Sequence, residues 1–315
     1  MSGIPSSDTF RRVIASIEPA CFARCFLSWI EAAVGKLGGD FIGIDGKALR
    51  GSYEKDDPKA LVHIVSAWAS RNRMILAQYK VDSKSNEITA IPKLLEMLDL
   101  KGCLVSIDAM GCQREIARQL REQEADYILA LKGNQGTLHE DVKTFFSEAK
   151  AIGFKGIAHS FFEQKDEGHA RTEVRRCWVS HDVSWLPGYA KWTGLASIVL
   201  VEYTRDLYSE EPSERRYYIS SRLLDAEAML EGVRRHWGIE NKVHWVLDVC
   251  FGEDASRIRR DDGAENFSVL RRVALNLLRQ DETSKRKSIK GRRKQAGWDN
   301  DYLGHLLGIE CTGPG

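Results

Sequence analysis

The chain has 315 residues, 43% hydrophobic and 29% charged, with a formal net charge of +1. That length permits one large domain or two modest ones, and the composition excludes disorder, collagen or coiled coil as whole-chain readings. No run reaches about 18 apolar residues, and Met1–Phe10 lacks the basic and apolar regions of a secretory signal, so neither a spanning helix nor a leader is expected.

Seven cysteines (Cys21, Cys25, Cys103, Cys112, Cys177, Cys250, Cys311) are odd in number and scattered without a C-x-x-C pair. They read as reduced thiols of a reducing compartment. Charge is uneven along the chain. Between Ala255 and Gln295 thirteen basic residues face five acidic ones, a local +8 on a body of −7. A basic end on a mildly acidic body suggests a polyanionic partner.

Asp8–Gly35 reads as two helices punctuated by Glu18-Pro19, and the second carries Phe22, Phe26, Trp29 and Ile30 at helical spacing. A helix-turn-helix DNA reader is an alternative for this stretch. Phe41–Ile44 is an apolar strand ending at Asp45. Leu61–Ala69 and Arg73–Val81 read as a hairpin about Ser70-Arg71-Asn72. Glu87–Leu98 is helical, with Pro92 suggesting a late start. Gly102–Ile107 is a strand ending at Asp108, Arg114–Gln123 a helix, Tyr127–Leu131 a strand and Thr137–Lys150 a helix. Three strands followed by alternating helices and strands imply a mixed sheet flanked by helices. That order matches the ribonuclease H-like α/β fold, in which the first and fourth strands lie side by side. Phe154–Ser221 is β-rich, Leu224–Val249 strongly helical and Ala264–Arg279 helical. Ser284–Lys294, with seven basic residues in eleven and no acid, reads as a solvated arm. The expected segments are a helical 1–38, a first core part 39–153, a β-rich insertion 154–222, a second core part 223–281 and a basic arm and tail 282–315.

Three carboxylates stand out. If the strands ending at Asp45 and Asp108 are neighbours, the two acids share one place on the sheet. Close carboxylates repel unless a cation is shared, and hard divalent ions favour such oxygens. Glu240, in Arg235-His236-Trp237-Gly238-Ile239-Glu240-Asn241, lies beside an apolar stripe at helical spacing. It needs a metal, a cation or a donor, and the plain alternative is an ion pair with Arg234, Arg235 or Lys242. Two strand aspartates and a helix glutamate can hold two Mg²⁺ about 4 Å apart, an arrangement suited to phosphoryl transfer.

Several segments together resemble a known family. Ile44-Asp45-Gly46-Lys47-Ala48-Leu49-Arg50-Gly51-Ser52, Asp108-Ala109-Met110-Gly111-Cys112-Gln113, Ala130-Leu131-Lys132-Gly133-Asn134-Gln135 and the stretch from His236 to Asp254 are similar to the ISAs-type insertion-sequence transposases, the H-repeat-associated group of DDE transposases. The resemblance runs from about Gly3 to the C-terminus. It implies a ribonuclease H-like core with a β-rich insertion before the last catalytic helix. It also implies that Asp45, Asp108 and Glu240 form the triad, with Mg²⁺ (Mn²⁺ substituting) cutting element ends and a 3′-hydroxyl attacking target DNA.

The wider Y-x2-R-x3-E-x6-K signature is not kept, because Val233, His236 and Leu247 stand at its other positions. The resemblance nominates Lys47, Arg50, Lys132, Asn134, Gln135, His236 and Arg257 for DNA contact. Within the motif-like Glu167–Glu173 it adds Arg171. Trp237 and Trp245 suit base stacking but are expected to pack. Family members carry a further helical stretch before Gly-Ile-Pro-Ser, so this chain reads as shortened at its N-terminus. The expected partners are double-stranded DNA, as inverted repeats and target, and a second copy of the chain on DNA. The expected place is the bacterial cytoplasm, at the nucleoid, with no membrane. The alternatives are a DNA-binding remnant without chemistry and a stand-alone nuclease using the same triad.

Overall fold

Helix ends follow from local chemistry. In α1 (Ser7–Ala15) the Ser6 hydroxyl accepts from Thr9 N at 3.2 Å. In α2 (Pro19–Val34) Pro19 occupies a first-turn position where no N–H is needed, and the Glu18 carboxylate accepts from Ala20 N and Cys21 N. There follow β1 (Phe41–Leu49), β2 (Val62–Ala69), β3 (Met74–Val81), α3 (Glu87–Glu96), β4 (Leu104–Ile107), α4 (Arg114–Glu122), β5 (Asp126–Leu131) and α5 (Gly136–Ala151). Then come β6 (Ser160–Gly168), β7 (Arg171–Ser180), β8 (Ser197–Thr204), β9 (Glu214–Ser220), α6 (Ala226–Ile239), a π-helical turn (Glu240–His244), α7 (Trp245–Phe251), α8 (Gly263–Gln280), α9 (Ile289–Ala296) and α10 (Asn300–Leu307). This computed structural model describes residues 5–53, 61–82, 85–168, 171–205 and 213–309. Among them no single helix is long and apolar enough to cross a membrane.

Pro92 lies inside α3 rather than at a late start. Its missing N–H forfeits one bond of the helix, which the burial of Ala90, Ile91, Leu94 and Leu95 offsets.

The chain divides into two compact units. The first comprises Met1–Lys36, Gly46–Asn86 and Ile239–Gly315, and the second Leu37–Asp45 and Glu87–Gly238. Strand β1 runs through the division.

In the second unit the strand order is β1-β4-β5-β9-β8-β7-β6. β1, β4 and β5 are parallel, and β5 then pairs antiparallel with β9 from Ile128↔Ser220 to Leu131↔Tyr217. The β-rich stretch 154–222 thus continues the sheet of β1, β4 and β5. One core of this unit joins Phe41, Ile128, Val199 and Tyr218 to Met229, Leu230 and Val233 of α6. Helix and sheet approach closely at Gly232, where an added Cβ would lie 2.7 Å from Ile128 Cδ1.

In the first unit the order is β3-β2-β1. With β1 common to both units, the leading strands are ordered β3-β2-β1-β4-β5, and the fold is ribonuclease H-like α/β. Trp68 and Ile75 of the hairpin pack with Ile239, Val243, Val246, Leu247 and Leu275. Asn276 of α8 ties into β3 twice, accepting from Ile75 N at 2.9 Å and donating to Ile75 O at 2.8 Å.

Two further expectations are corrected. The stretch expected as one helix over 224–249 is interrupted by the π turn, which inserts an extra residue and rotates the positions after it. Val243, Val246 and Leu247 are thereby buried, while Trp245, expected to pack, is 59% exposed. The segment expected as a solvated arm contains α9, whose Arg292 is buried and donates through Nη1 to Leu278 O (2.7 Å) and Asp281 O (3.0 Å).

Candidate active site

Strands β1 and β4 pair in parallel register, Phe41↔Leu104, Ile42↔Val105, Gly43↔Ser106 and Ile44↔Ile107. Ile42, Ile44, Val105 and Ile107 are buried. Asp45, the next residue on β1, and Asp108, just past the end of β4, are both half-buried. Neighbouring strands lie about 4.8 Å apart, so two carboxylates emerge side by side where the apolar pairing stops. Asp108 Oδ1 accepts from Met110 N (3.1 Å) and Gly111 N (3.2 Å), which closes the loop and leaves Oδ2 with no hydrogen bond among the described residues. Gly111 is required there, because an added Cβ would lie 2.3 Å from Ile107 Cγ2.

The second unit supplies the surroundings of Asp108. Asn134 donates to Ala109 O at 2.6 Å and Gln135 to Cys112 O at 2.9 Å, so both amides brace the loop after Asp108. Burial pulls the His236 imidazole below its usual pKa, against the opposing attraction of Asp108 and the backbone of Ser106. Its Nδ1 is buried without a hydrogen-bond partner among the described residues. Burial, and then the charge of Asp108, push the Glu87 carboxyl upward. Sequence reasoning missed Glu87; its only local signal is an acid opening a helix.

Lys132 is exposed. Trp237, expected to pack, is 38% exposed and lies under Arg216, whose Cζ is 4.4 Å from the ring centroid. Glu214 fixes that guanidinium at 2.7 and 3.0 Å. The side chain of Arg171, with His169 and Ala170, lies outside the described residues.

Glu240 opens the π turn in the first unit and is exposed. The ion-pair alternatives do not form among the described residues: Arg234 pairs with Asp166 (3.4 Å) and Arg235 with Glu231. No group of three or more His, Cys, Asp or Glu side chains is arranged among the described residues to hold a metal ion.

Comparison with known proteins decides the family. Residues 37–277 match the model of the transposase DDE domain. The chain belongs to the DDE transposases. It is 40% identical over 310 residues to "Putative transposase YncI" of Escherichia coli O157:H7, covering 97% of this chain and 78% of that one. It is 38% identical over 311 residues to "H repeat-associated putative transposase YhhI" of Escherichia coli K12, covering 97% and 81%. A piggyBac transposase solved in a synaptic complex with hairpin DNA shares the fold at TM-score 0.50 and 13% identity. That match covers 97% of this chain, which spans 62% of the piggyBac chain.

Other sites of this transposase correct the nominations for DNA contact. Lys47, two residues beyond Asp45, does not present its ammonium to solvent. It pairs with Asp248, with Glu253 Oε2 at 3.2 Å and with Asp254 Oδ1 at 3.6 Å. Glu253 is 1% exposed and also meets the fully buried Arg272 at 3.0 Å. Burial raises the Glu253 carboxyl, but Arg272 and then Lys47 outweigh it, and the net shift is downward. Arg272 is completed by Ser268 and by Ser66.

This network anchors the run that begins at Glu240 to β1, all within the first unit. Lys47 was nominated from the sequence for DNA contact, and the roles of its partners Asp248, Glu253 and Arg272 were not singled out. The available signal was Arg272 set among Ser268, Val269, Leu275 and Asn276, a charge on a face that should be apolar. Arg50 remains 81% exposed beside Asp254, and Arg257 is exposed.

Proposed function

We propose that this transposase cleaves and rejoins DNA with Asp45, Asp108 and Glu240 as its carboxylate triad. The observation that carries the reading is the pair of aspartates emerging from adjacent parallel strands one residue past Ile44↔Ile107. Side-by-side carboxylates, with Asp108 Oδ2 accepting no hydrogen bond among the described residues, fit a hard divalent cation, and Asp45, Asp108 and Glu240 would hold it. Mg²⁺ or Mn²⁺ bound there would make water or a 3′-hydroxyl nucleophilic at neutral pH and neutralise charge on the phosphate.

In the reaction a new P–O bond forms to the attacking oxygen, the P–O3′ bond breaks in line, the proton of the nucleophile passes to solvent, and the leaving O3′ takes a proton from solvent to become a 3′-hydroxyl. Asp108 is oriented by the Met110 and Gly111 N–H groups, and Asn134 and Gln135 keep that loop closed. His236, whose imidazole burial pulls below its usual pKa against the charge of Asp108, serves as a positioning group for that carboxylate. Arg50, Lys132 and Arg257 are exposed cations suited to phosphate contact, which gives position without sequence information. Arg171 keeps the same proposed role. Lys47 is not assigned to DNA, because its charge is engaged by three carboxylates. The substrate is the ends of an insertion sequence and a target duplex in the bacterial cytoplasm, at the nucleoid. Two copies of the chain acting together would handle two ends.

The test is a gel assay with labelled duplexes carrying the flanking element's ends, in Mg²⁺ or Mn²⁺, with Asp108→Asn as control. Metal-dependent nicking at the end followed by strand joining, both absent in Asp108→Asn, is the expected result. Cleavage without joining identifies a nuclease. Salt-sensitive binding without cleavage identifies a DNA-binding remnant. Activity retained by Asp45→Asn, Asp108→Asn or Glu240→Gln removes that residue from the triad.

A further inference from the structure

The arginines of α8 and α9 differ in how their buried donor groups are met. Arg272 meets Glu253 and Ser268, and Arg292 meets the carbonyls of Leu278 and Asp281. Arg279, in the last turn of α8, is different. Its Cζ lies 4.4 Å from the centroid of the Trp68 ring, and no carboxylate pairs with it among the described residues. Its Nη1 is buried without a hydrogen-bond partner, and so is the indole N–H of Trp68. The ring face compensates part of a guanidinium's lost hydration but accepts no hydrogen bond from Nη1.

The neighbouring charge is of the same sign. Burial, and then repulsion from Arg73, pull the Arg279 pKa down to about 9. Arg73 is exposed in the β2–β3 turn, at φ 55°. Gln280 donates to Asn72 O at 3.0 Å and fixes that turn against the end of α8. α9 adds Lys290, Arg293 and Lys294. Arg293 lies 5.7 Å from the ring of Phe251, which packs on the cluster that contains Trp68. A buried guanidinium without an anion is costly, and a second cation beside it adds to that cost. Binding an anion relieves both.

We propose that Arg279 and Arg73, on the platform of Trp68, form an anion site that takes a backbone phosphate of duplex DNA. The cations of α9 extend the positive surface along the same unit, which favours a polyanion over a small free phosphate. The choice of DNA rests on the transposase reading; the anion site itself does not.

The test uses the full chain carrying Asp108→Asn, in EDTA, so that affinity is read without turnover. Duplex binding is measured from 50 to 300 mM salt for that protein and with Arg73→Ala or Arg279→Met added. Each addition is expected to weaken binding several-fold and to flatten the slope of log K against log salt by about 0.9. Thermal unfolding supplies a readout independent of DNA. Inorganic phosphate should raise the Tm of the parent protein and not that of Arg279→Met. An unchanged slope in both variants overturns the DNA assignment even where phosphate raises Tm, and then the site takes free phosphate only. An absent phosphate effect with unchanged slopes overturns the site altogether. A parent protein that binds no DNA but is stabilised by phosphate through Arg279 refutes the DNA reading and leaves the anion site standing.

Discussion

In the second unit, α6 meets the sheet through Met229, Leu230 and Val233 against Ile128, Val199 and Tyr218, with Gly232 removing the last side chain between them. In the first unit, the run that begins at Glu240 meets β1 through Lys47, Asp248, Glu253 and Arg272, all wholly or partly buried charges. The apolar contact needs only shape and area and tolerates small shifts. The ionic contact has directional partners, so it holds a helix at one setting. The two proposed catalytic aspartates stand at the edge of the first kind of contact, and the proposed glutamate stands on a segment anchored by the second. Hydrogen-bond register thus places the strand acids of the second unit, and within the first unit charge holds the run that Glu240 opens.

The largest expected effect breaks the ionic side. Lys47→Met leaves Glu253 ion-paired to Arg272 alone and leaves Asp248 without its lysine. Removing one partner of a buried pair costs about 3–5 kcal/mol, which urea unfolding measures. A loss under about 1 kcal/mol would show that Arg272 alone suffices and that Lys47 does not anchor the segment. On the apolar side, Ile128→Ala removes a fully buried side chain that touches α6 and should cost about 2–4 kcal/mol by the same measurement. The charge exchange Lys47→Glu with Glu253→Lys should not restore stability, because Arg272 would then face a lysine.

The apolar side was legible in the sequence and the ionic side was not. Phe41–Ile44 and Gly102–Ile107 are short apolar runs closed by aspartate, so each strand is legible locally. That the two strands are neighbours is only what the ribonuclease H-like element order leads one to expect, and the register Ile44↔Ile107 is what shows it. Lys47 reads as an exposed cation near a strand end because its partners lie about 200 residues away, and nothing local announces them. The π turn is hidden for a related reason. Glu240, Val243 and Leu247 keep ordinary helical spacing, and only the packing of Ile239 and Val246 on Trp68 shows that a residue has been inserted. Arg292 belongs to a segment whose composition alone suggests solvation, yet its guanidinium satisfies the last carbonyls of α8.

Smaller effects sharpen the same contrast. Asp281 is buried and accepts from Thr283 and from Tyr302 OH at 2.7 Å. Burial pushes its carboxyl up, but those donors prevail and bring it down to about 2. A depressed carboxylate contributes stability above its unfolded pKa of 3.8, and that contribution is lost as pH falls toward 2. Allowing for solvent screening, about 1–2 kcal/mol should disappear between about pH 4 and pH 2, and Asp281→Asn should flatten that part of the profile. Glu253, also depressed, loses its contribution in the same direction and adds to the acid sensitivity of the first unit.

The smallest effect is expected from charges of like geometry that remain in water. Arg118 on α4 reaches Glu115 at 2.7 Å and Glu122 at 2.6 Å, distances as short as those in the buried network, yet its side chain is 52% exposed. Water already solvates all three groups, and ordering three long side chains costs entropy. Arg118→Ala should leave the urea midpoint where it is, at both 50 mM and 500 mM salt. Should it shift the midpoint as far as Lys47→Met does, short ion pairs would be stabilising wherever they occur, and burial would not be what separates the two.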